Sequence, residues 1–266
     1  MRRGDSSGHS MNEQTWKVEV LLPGSWRGAT SVLISNGHHH VLVDSGMPHE
    51  SHQLVKALEQ RGLRLEDVTT LVNTHFHIDH VLNNNLFPAA GIYATQQSHD
   101  WCQSMYSDLA DNQNWEKLAL KYYPEMHEYE KAHQHMVNLR KIALRWWDLK
   151  RLGAPEQFRW LETHSLPDGI GSFISSGHLP GHVSLVVDPG EQPTIVAGDA
   201  LLSREREDQV ATMIPYNRNQ FLKDRNRVLE MGGRILPGHD RGFCFSSKSE
   251  PGGVQQDTII QQTHRD

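Results

Sequence analysis

Thr74-His75-Phe76-His77-Ile78-Asp79-His80 is the stretch on which the reading of this chain turns. Three imidazoles and a carboxylate fall between His75 and His80, directly after the apolar segment Val68 to Val72, which reads as a buried strand. A strand that ends and releases His-x-His-x-Asp-His into the following loop aims several metal ligands at one point. Imidazole nitrogen together with carboxylate oxygen suits zinc, and also iron or manganese.

Working outward from this loop, the chain alternates strands with helices. On the N-terminal side Thr15 to Leu22, Thr30 to Ser35 and His40 to Asp44 carry apolar residues at strand spacing, with an Asn36-Gly37 turn between the last two. His49 to Arg61 places Leu54, Val55 and Leu58 on one helical face, and Gly62 follows as the stop. Ile92 to Thr95 is a further strand. From Ser98 to about Trp160 turn signals thin out, and Trp, Tyr, Met and Leu recur at helical spacing. One stripe steps by three or four from Met126 and Tyr129 through Met136 to Trp147. This predicts two or three helices inserted into a β-rich pattern. Strands return at Phe173 to Ser175, His182 to Val187, Thr194 to Ala197 and Arg234 to Leu236, with a helix over Asn219 to Met231.

Three later segments repeat the arrangement of a strand running into a loop that carries a ligand. They are Gly177-His178-Leu179-Pro180-Gly181-His182, Gly198-Asp199 and Gly238-His239. Glycine before each ligand lets the backbone turn sharply and approach the site closely. Together with the first cluster they offer enough nitrogen and oxygen for two divalent metal ions about 3.5–4 Å apart.

In order along the chain, Asp44-Ser45-Gly46, the His75 to His80 run, Gly177-His178, Gly198-Asp199 and Gly238-His239 resemble the motifs of the metallo-β-lactamase superfamily. The likeness extends over essentially the whole chain. It implies an α/β (α+β) fold of αββα type, two packed sheets with helices outside and the metals at one edge. It also implies that His75, His77 and His178 hold one ion, that Asp79, His80 and His239 hold the other, and that Asp199 bridges both. The first histidine of a Gly-His-x-x-Gly-His segment is the usual ligand in the family, which selects His178. His182 and Asp44 then support the ligands from behind. The implied reaction is attack by a hydroxide bridging two ions, Zn2+ first and Fe or Mn as alternatives, with Asp79 orienting the nucleophile.

The segment from Gly177 to His182, followed by Val183-Ser184-Leu185, resembles the lactonase and glyoxalase II-type hydrolases. That implies cleavage of a carboxylic ester, lactone or thioester. Acyl-homoserine lactonases place a tyrosine three residues after the bridging aspartate, where this chain has Leu202; Tyr122 or Tyr123 would have to take its place in binding substrate. A narrower likeness, Asn85-Leu86-Phe87-Pro88 with Ser98-His99-Asp100-Trp101-Cys102, is to the small metallo-β-lactamase domain-containing proteins linked with RNA cleavage. It makes a metal-dependent phosphodiesterase or ribonuclease the alternative. An iron-dependent oxygenase and a non-catalytic metal-binding protein are the remaining ones. The inserted helices, about residues 98–160, are expected to form a cap with an apolar channel, or a homodimer surface.

The 266 residues fit one domain, 15–246, between a disordered polar lead, 1–14, and a polar tail, 247–266. A formal net charge of −6 argues against a broad nucleic-acid footprint, so a small-molecule substrate is the expected partner. No apolar run is long enough to span a membrane, and none follows Arg2-Arg3 as in a secretory signal; a cytoplasmic location is expected. Cys102 and Cys244 are too few for a disulfide framework or a thiolate zinc site and are expected as buried small hydrophobes. Eighteen histidines are the compositional outlier, and metal binding absorbs part of that excess.

Overall fold

Two sheets carry the fold. In the computed structural model, which describes residues 15–25, 28–111, 115–125, 132–188, 192–204 and 215–246, the first has six strands in chain order. They are β1 (Lys17–Leu22), β2 (Ser31–Ser35), β3 (His40–Val43), β4 (Thr70–Val72), β5 (Gly91–Ala94) and β6 (Phe158–Trp160). The second sheet holds β7 (Ile170–Ile174), β8 (Val183–Val187), β9 (Thr194–Gly198), β10 (Gly233–Pro237) and β11 (Phe243–Phe245), also laid side by side in chain order. Strands β3 to β6 run parallel, as do β9 and β10. The expected lead, 1–14, the tail, 247–266, and the stripe residues Met126 and Tyr129 lie outside the described residues.

Side-chain alternation builds the layers. Val32 and Ile34 of β2 pack with Val41, Val43 and Val72 against Leu185, Val187, Val196 and Leu236 of the second sheet. Leu33, Leu42 and Leu71, from the same strands, turn the other way onto Leu54 and Leu58 of α1 (Ser51–Glu59). On the second sheet Ile195, Ala197 and Ile235 face outward onto Val228 of α6 (Arg218–Met231). Successive residues of a strand leave on opposite faces. With helices on both outer faces, both sides of the central strands must be apolar, which is why they read as continuous hydrophobic runs. The result is the αββα sandwich. Each fully buried Val, Leu or Ile contributes about 1.5–3 kcal/mol relative to exposure.

The inserted helices are α3 (Gln96–Asp111), α4 (Trp115–Tyr122) and α5 (Ala132–Trp146). They form the crossover between β5 and β6, since two parallel strands require a long connection. The expected insertion to Trp160 therefore ends too late: Phe158–Trp160 belongs to the sheet, with Ile92 opposite Phe158. Buried residues of the crossover, among them Met105, Tyr106, Tyr122 and Met136, close around Phe76, Ile78, Val81, Leu82 and Leu179. Those five residues lie beside or near the predicted ligands in sequence, so the crossover rests on the loops that carry them.

Two other expectations are corrected. The histidine run is not loop throughout: Ile78–Val81 makes one helical turn, α2, with His77 in extended conformation at its N-cap. Cys102 is buried, but Cys244 on β11 is exposed. Among the described residues no helix is long and apolar enough to cross a membrane.

Candidate metal centre

Parallel strands end on the same edge, and that edge gathers the predicted ligands. β4 delivers His75 and His77, and α2 carries Asp79 and His80. β9 ends at Gly198, in the left-handed region (φ 52°), and hands over to Asp199; β10 hands over to Gly238 and His239. His178 comes from the turn between β7 and β8. Two groups result, His75, His77, His178 and Asp199 in one, and Asp79, His80 and His239 in the other, with the ligand atoms of each within 4.8 Å of one another. Asp199 faces both. Its Oδ2 is 3.2 Å from His178 Nε2 and 3.8 Å from His75 Nε2, while its Oδ1 is 3.4 Å from His80 Nε2 and 3.3 Å from His239 Nε2.

The hydrogen bonds behind the rings determine which nitrogens face inward. His239 Nδ1 is 2.8 Å from the Ser25 carbonyl, which can only accept, so Nδ1 carries the hydrogen and Nε2 is left for a ligand. His80 Nδ1 donates to Asp44 Oδ2 at 2.7 Å. Thr74 Oγ1 donates to the same carboxylate at 2.7 Å and therefore accepts from His75 Nδ1 at 3.1 Å. His77 Nδ1 and His178 Nε2 stand 3.0 Å apart, two imidazole nitrogens converging on one point. His75 Nε2, His80 Nε2 and Asp199 Oδ1 are buried without hydrogen-bond partners. Buried polar atoms are rarely left so. Neutral nitrogens and a carboxylate oxygen aimed at a shared centre fit a pair of divalent ions.

Electrostatics agree with that fit. Burial, reinforced by neighbouring imidazoles, drives His75 and His178 well below the usual histidine value, and burial takes His77 down to about 4. These rings are neutral at pH 7, as metal ligation requires. Burial also opposes charge on His80 and His239, but carboxylates outweigh it. Asp44, Asp199 and Asp79 carry His80 well above its usual value, and Asp199 and Asp79 bring His239 up to about 9. Burial works against the Asp199 carboxylate as well, yet His239, His80 and His178 hold it well below the usual carboxylate range. Without metal, protons on His80 and His239 supply the positive charge that Asp199 demands.

Comparison with known proteins gives the same answer from sequence. The family model described as the metallo-beta-lactamase superfamily matches residues 24–239. The chain belongs to the metallo-β-lactamase superfamily. Metallo-beta-lactamase domain-containing protein 1 of Homo sapiens is 40% identical over 244 residues, which cover 88% of this chain and 72% of the human one. The Mus musculus protein of that name is 39% identical over 82 residues, so the match spans 31% of this chain and only 30% of the mouse protein. Among solved structures, the dizinc quorum-quenching lactonase AidC, in complex with a product, superposes with a TM-score of 0.54 at 17% identity, covering 91% of this chain and 93% of that one. At that identity the likeness is one of fold.

Behind the candidate ligands of this superfamily site stand the residues that hold them, Asp44 and His182 among them. Asp44 is buried at φ 55°, a conformation a non-glycine residue rarely adopts. Besides His80 it accepts Thr74 N–H at 2.8 Å and Thr74 Oγ1 at 2.7 Å. Asp44→Asn keeps a side chain that tolerates this backbone but removes the charge behind His80. Zinc affinity at the Asp79, His80 and His239 side is expected to fall about 10–100-fold with the fold retained, read by competition against a chromophoric chelator. Unchanged affinity would remove Asp44 from that role.

His182 supports Asp199 through a directed chain. Asp199 N–H donates to His182 Nε2 at 3.0 Å, so His182 carries its hydrogen on Nδ1 and donates to Ser175 Oγ at 2.8 Å. Ser184 Oγ donates to the Ala197 carbonyl, which leaves Ser175 to donate to Ser184. The loop that bears Asp199 is thereby tied to its own strand. Asp224 of α6, also buried, accepts Gly177 N–H at 2.8 Å and steadies the turn before His178. Asn83 and Asn84 are buried too. Asn83 Nδ2 donates to the carbonyls of Ser45 and Met47, and Asn84 pairs with Asn73 and Ser45.

The candidate substrate residues sit as follows. Leu202 packs on Phe221, and its carbonyl accepts His239 N–H at 2.9 Å. Tyr122 is buried and donates its hydroxyl to Asp108 at 2.6 Å. Tyr123 is buried with its ring edge-on to Trp101.

Proposed function

We propose that this chain is a dinuclear metal-dependent hydrolase of carboxylic esters, lactones or thioesters. The observation that carries the reading is the placement of Asp199, one carboxylate oxygen toward each histidine group. Two divalent ions held there would lower the pKa of water to near neutrality and polarise an electrophilic carbonyl. His75, His77 and His178 would hold one, Asp79, His80 and His239 the other, with Asp199 shared. Zinc suits this nitrogen-rich set best, with iron or manganese as alternatives.

Burial indicates where substrate enters. His75, His80, His178 and Asp199 are enclosed, whereas His77, Asp79 and His239 are only partly covered. The open side is theirs. Asp79, 3.5 Å from His239 Nε2 and partly exposed, would orient the attacking water and receive its proton. The carbonyl preference is supported by the Gly177 to His182 segment. Phosphodiester cleavage is the second reading, favoured by the extent of the match to metallo-beta-lactamase domain-containing protein 1.

A hydrolysis panel on zinc- or manganese-loaded protein tests both. It should contain aliphatic and aryl esters, simple and homoserine lactones, acyl thioesters, a cephalosporin and a phosphodiester. One carbonyl class is expected to turn over, with chelator abolishing it and Asp79→Asn slowing it about 100-fold or more. Phosphodiester turnover alone would replace the first reading with the second. Silence across the panel with two ions bound would end both.

A further inference from the structure

Ser98-His99-Asp100-Trp101-Cys102 contributes no ligand to the centre described above. Its place on α3 gives it another task. Ser98, Cys102 and Tyr106 follow at intervals of four, share one side of the helix, and are all buried. That side meets the backbone of the His75 to Asp79 loop. Phe76 N–H donates to Ser98 Oγ at 3.2 Å. Cys102 and Tyr106 pack with Phe76 and Ile78 in one buried cluster. Phe76 stands between His75 and His77, and Ile78 between His77 and Asp79.

The same end of the helix reaches the other histidine loop. Thr95 Oγ1 donates to the Gly181 carbonyl at 2.5 Å and accepts Ser98 N–H at 3.2 Å, linking α3 to the turn that carries His178. Gly181 is in the left-handed region (φ 77°), and a Cβ there would come within 2.5 Å of Thr95 Oγ1. From behind, Tyr106 is stacked on Trp147 at 4.2 Å and 28°. Residues 75 to 77 lie outside helix and strand, so their buried amides have no ladder to join and need partners from elsewhere.

We infer that α3 is a clamp on the metal loops, with Ser98, Cys102 and Tyr106 as positioning residues that set His75, His77 and Asp79 relative to one another. None of the three touches substrate or metal. The inference rests on the reading of those residues as metal ligands.

Cobalt(II) titration of the full chain, followed by its ligand-field absorption and by competition with a chelator, separates positioning from packing. Ser98→Ala, which removes the acceptor of Phe76 N–H, is expected to shift the bands and weaken cobalt binding about 10–100-fold; Cys102→Ala, which loosens the packing behind Phe76, should move both in the same direction and by less. Leu109→Val, a buried change in the same helix away from the loop, should lower the melting temperature and leave the bands in place. Should Ser98→Ala fold poorly, Cys102→Ala decides. Bands and affinity like those of the wild type in both variants would overturn the inference. A wild-type protein that binds no cobalt would overturn the metal-centre reading, and this one with it, before any substitution is made.

Discussion

Acidified below about pH 5, the metal-free protein is expected to unfold. His75, His178 and His182 are buried, His77 is partly covered, and all four are held neutral, His77 with its value pushed down to about 4 and His182 to about 3. In the unfolded chain each titrates near 6.5. Below that pH the unfolded state binds protons that the folded state refuses. Each group then removes about 1.4 kcal/mol per pH unit as the pH falls from 6.5 toward its folded value. Their contribution is intact above 6.5 and is lost beneath it. Against a total stability of about 5–15 kcal/mol, four such groups place the acid midpoint about one to three units below 6.5. His80 and His239 act in the opposite sense: their raised values stabilise fully below 6.5, and for His239 that contribution is lost as the pH rises through about 9. Far-UV circular dichroism during an acid titration, with and without zinc, provides the check. A metal-free protein still folded in the usual carboxylate range would show that these rings are not enclosed as described.

Gly177→Ala is expected to be the most damaging single-methyl change in the chain's centre. A Cβ at Gly177 would lie 2.1 Å from Phe221 N and 2.2 Å from Phe221 Cα, both backbone atoms of α6. Side chains can rotate away from a clash; a helix backbone cannot. Relief would require α6 to withdraw from the very turn it holds, where Asp224 accepts Gly177 N–H and Asn217 N–H donates to the Gly177 carbonyl. Overpacking of this kind costs about 3 kcal/mol, a fall of roughly 6–12 °C in melting temperature for a chain of this size. His178 would be displaced along with the turn, so metal affinity should fall too. Gly37→Ala is the contrast. It has nothing within 4 Å and only its left-handed backbone (φ 87°) to object, so it should cost about 1 kcal/mol. Thermal melts of the two variants side by side would settle the matter, and equal losses would refute the steric argument.

The candidate ligands could be picked out in the sequence because metal sites at strand ends leave a local trace, histidine or aspartate beside a glycine that lets the chain turn. The two-faced strands were legible because continuous apolar runs have few other uses. What escaped had no such trace. Asp224 lies in an otherwise ordinary polar helix, and only the approach of Gly177 in space gives it a function. Ser175 and Ser184 look like ordinary strand residues until their order of donation toward Ala197 is worked out. Phe158-Arg159-Trp160 is too short to show a period, and after a long helical stretch it reads as more of the same; pairing with β5 makes it a strand. The helical turn at Ile78 was hidden by ligands whose chemistry suggested a loop.

His77 and His178 are 101 residues apart in sequence and 3.0 Å apart in space, one beyond β4 of the first sheet and the other before β8 of the second. An ion gripped by both would therefore be a cross-link between the two halves of the sandwich. In a chain-entropy account, closing a loop of about 100 residues lowers the freedom of the unfolded chain by an amount worth about 4.7 kcal/mol. Secreted proteins obtain such a staple from a disulfide. Here one cysteine is buried in the crossover cluster and the other is exposed on the last strand, so the pair forms none. A bound ion would then add to the apolar packing that already joins the two sheets, and a chelator would act on this molecule as a reductant acts on those.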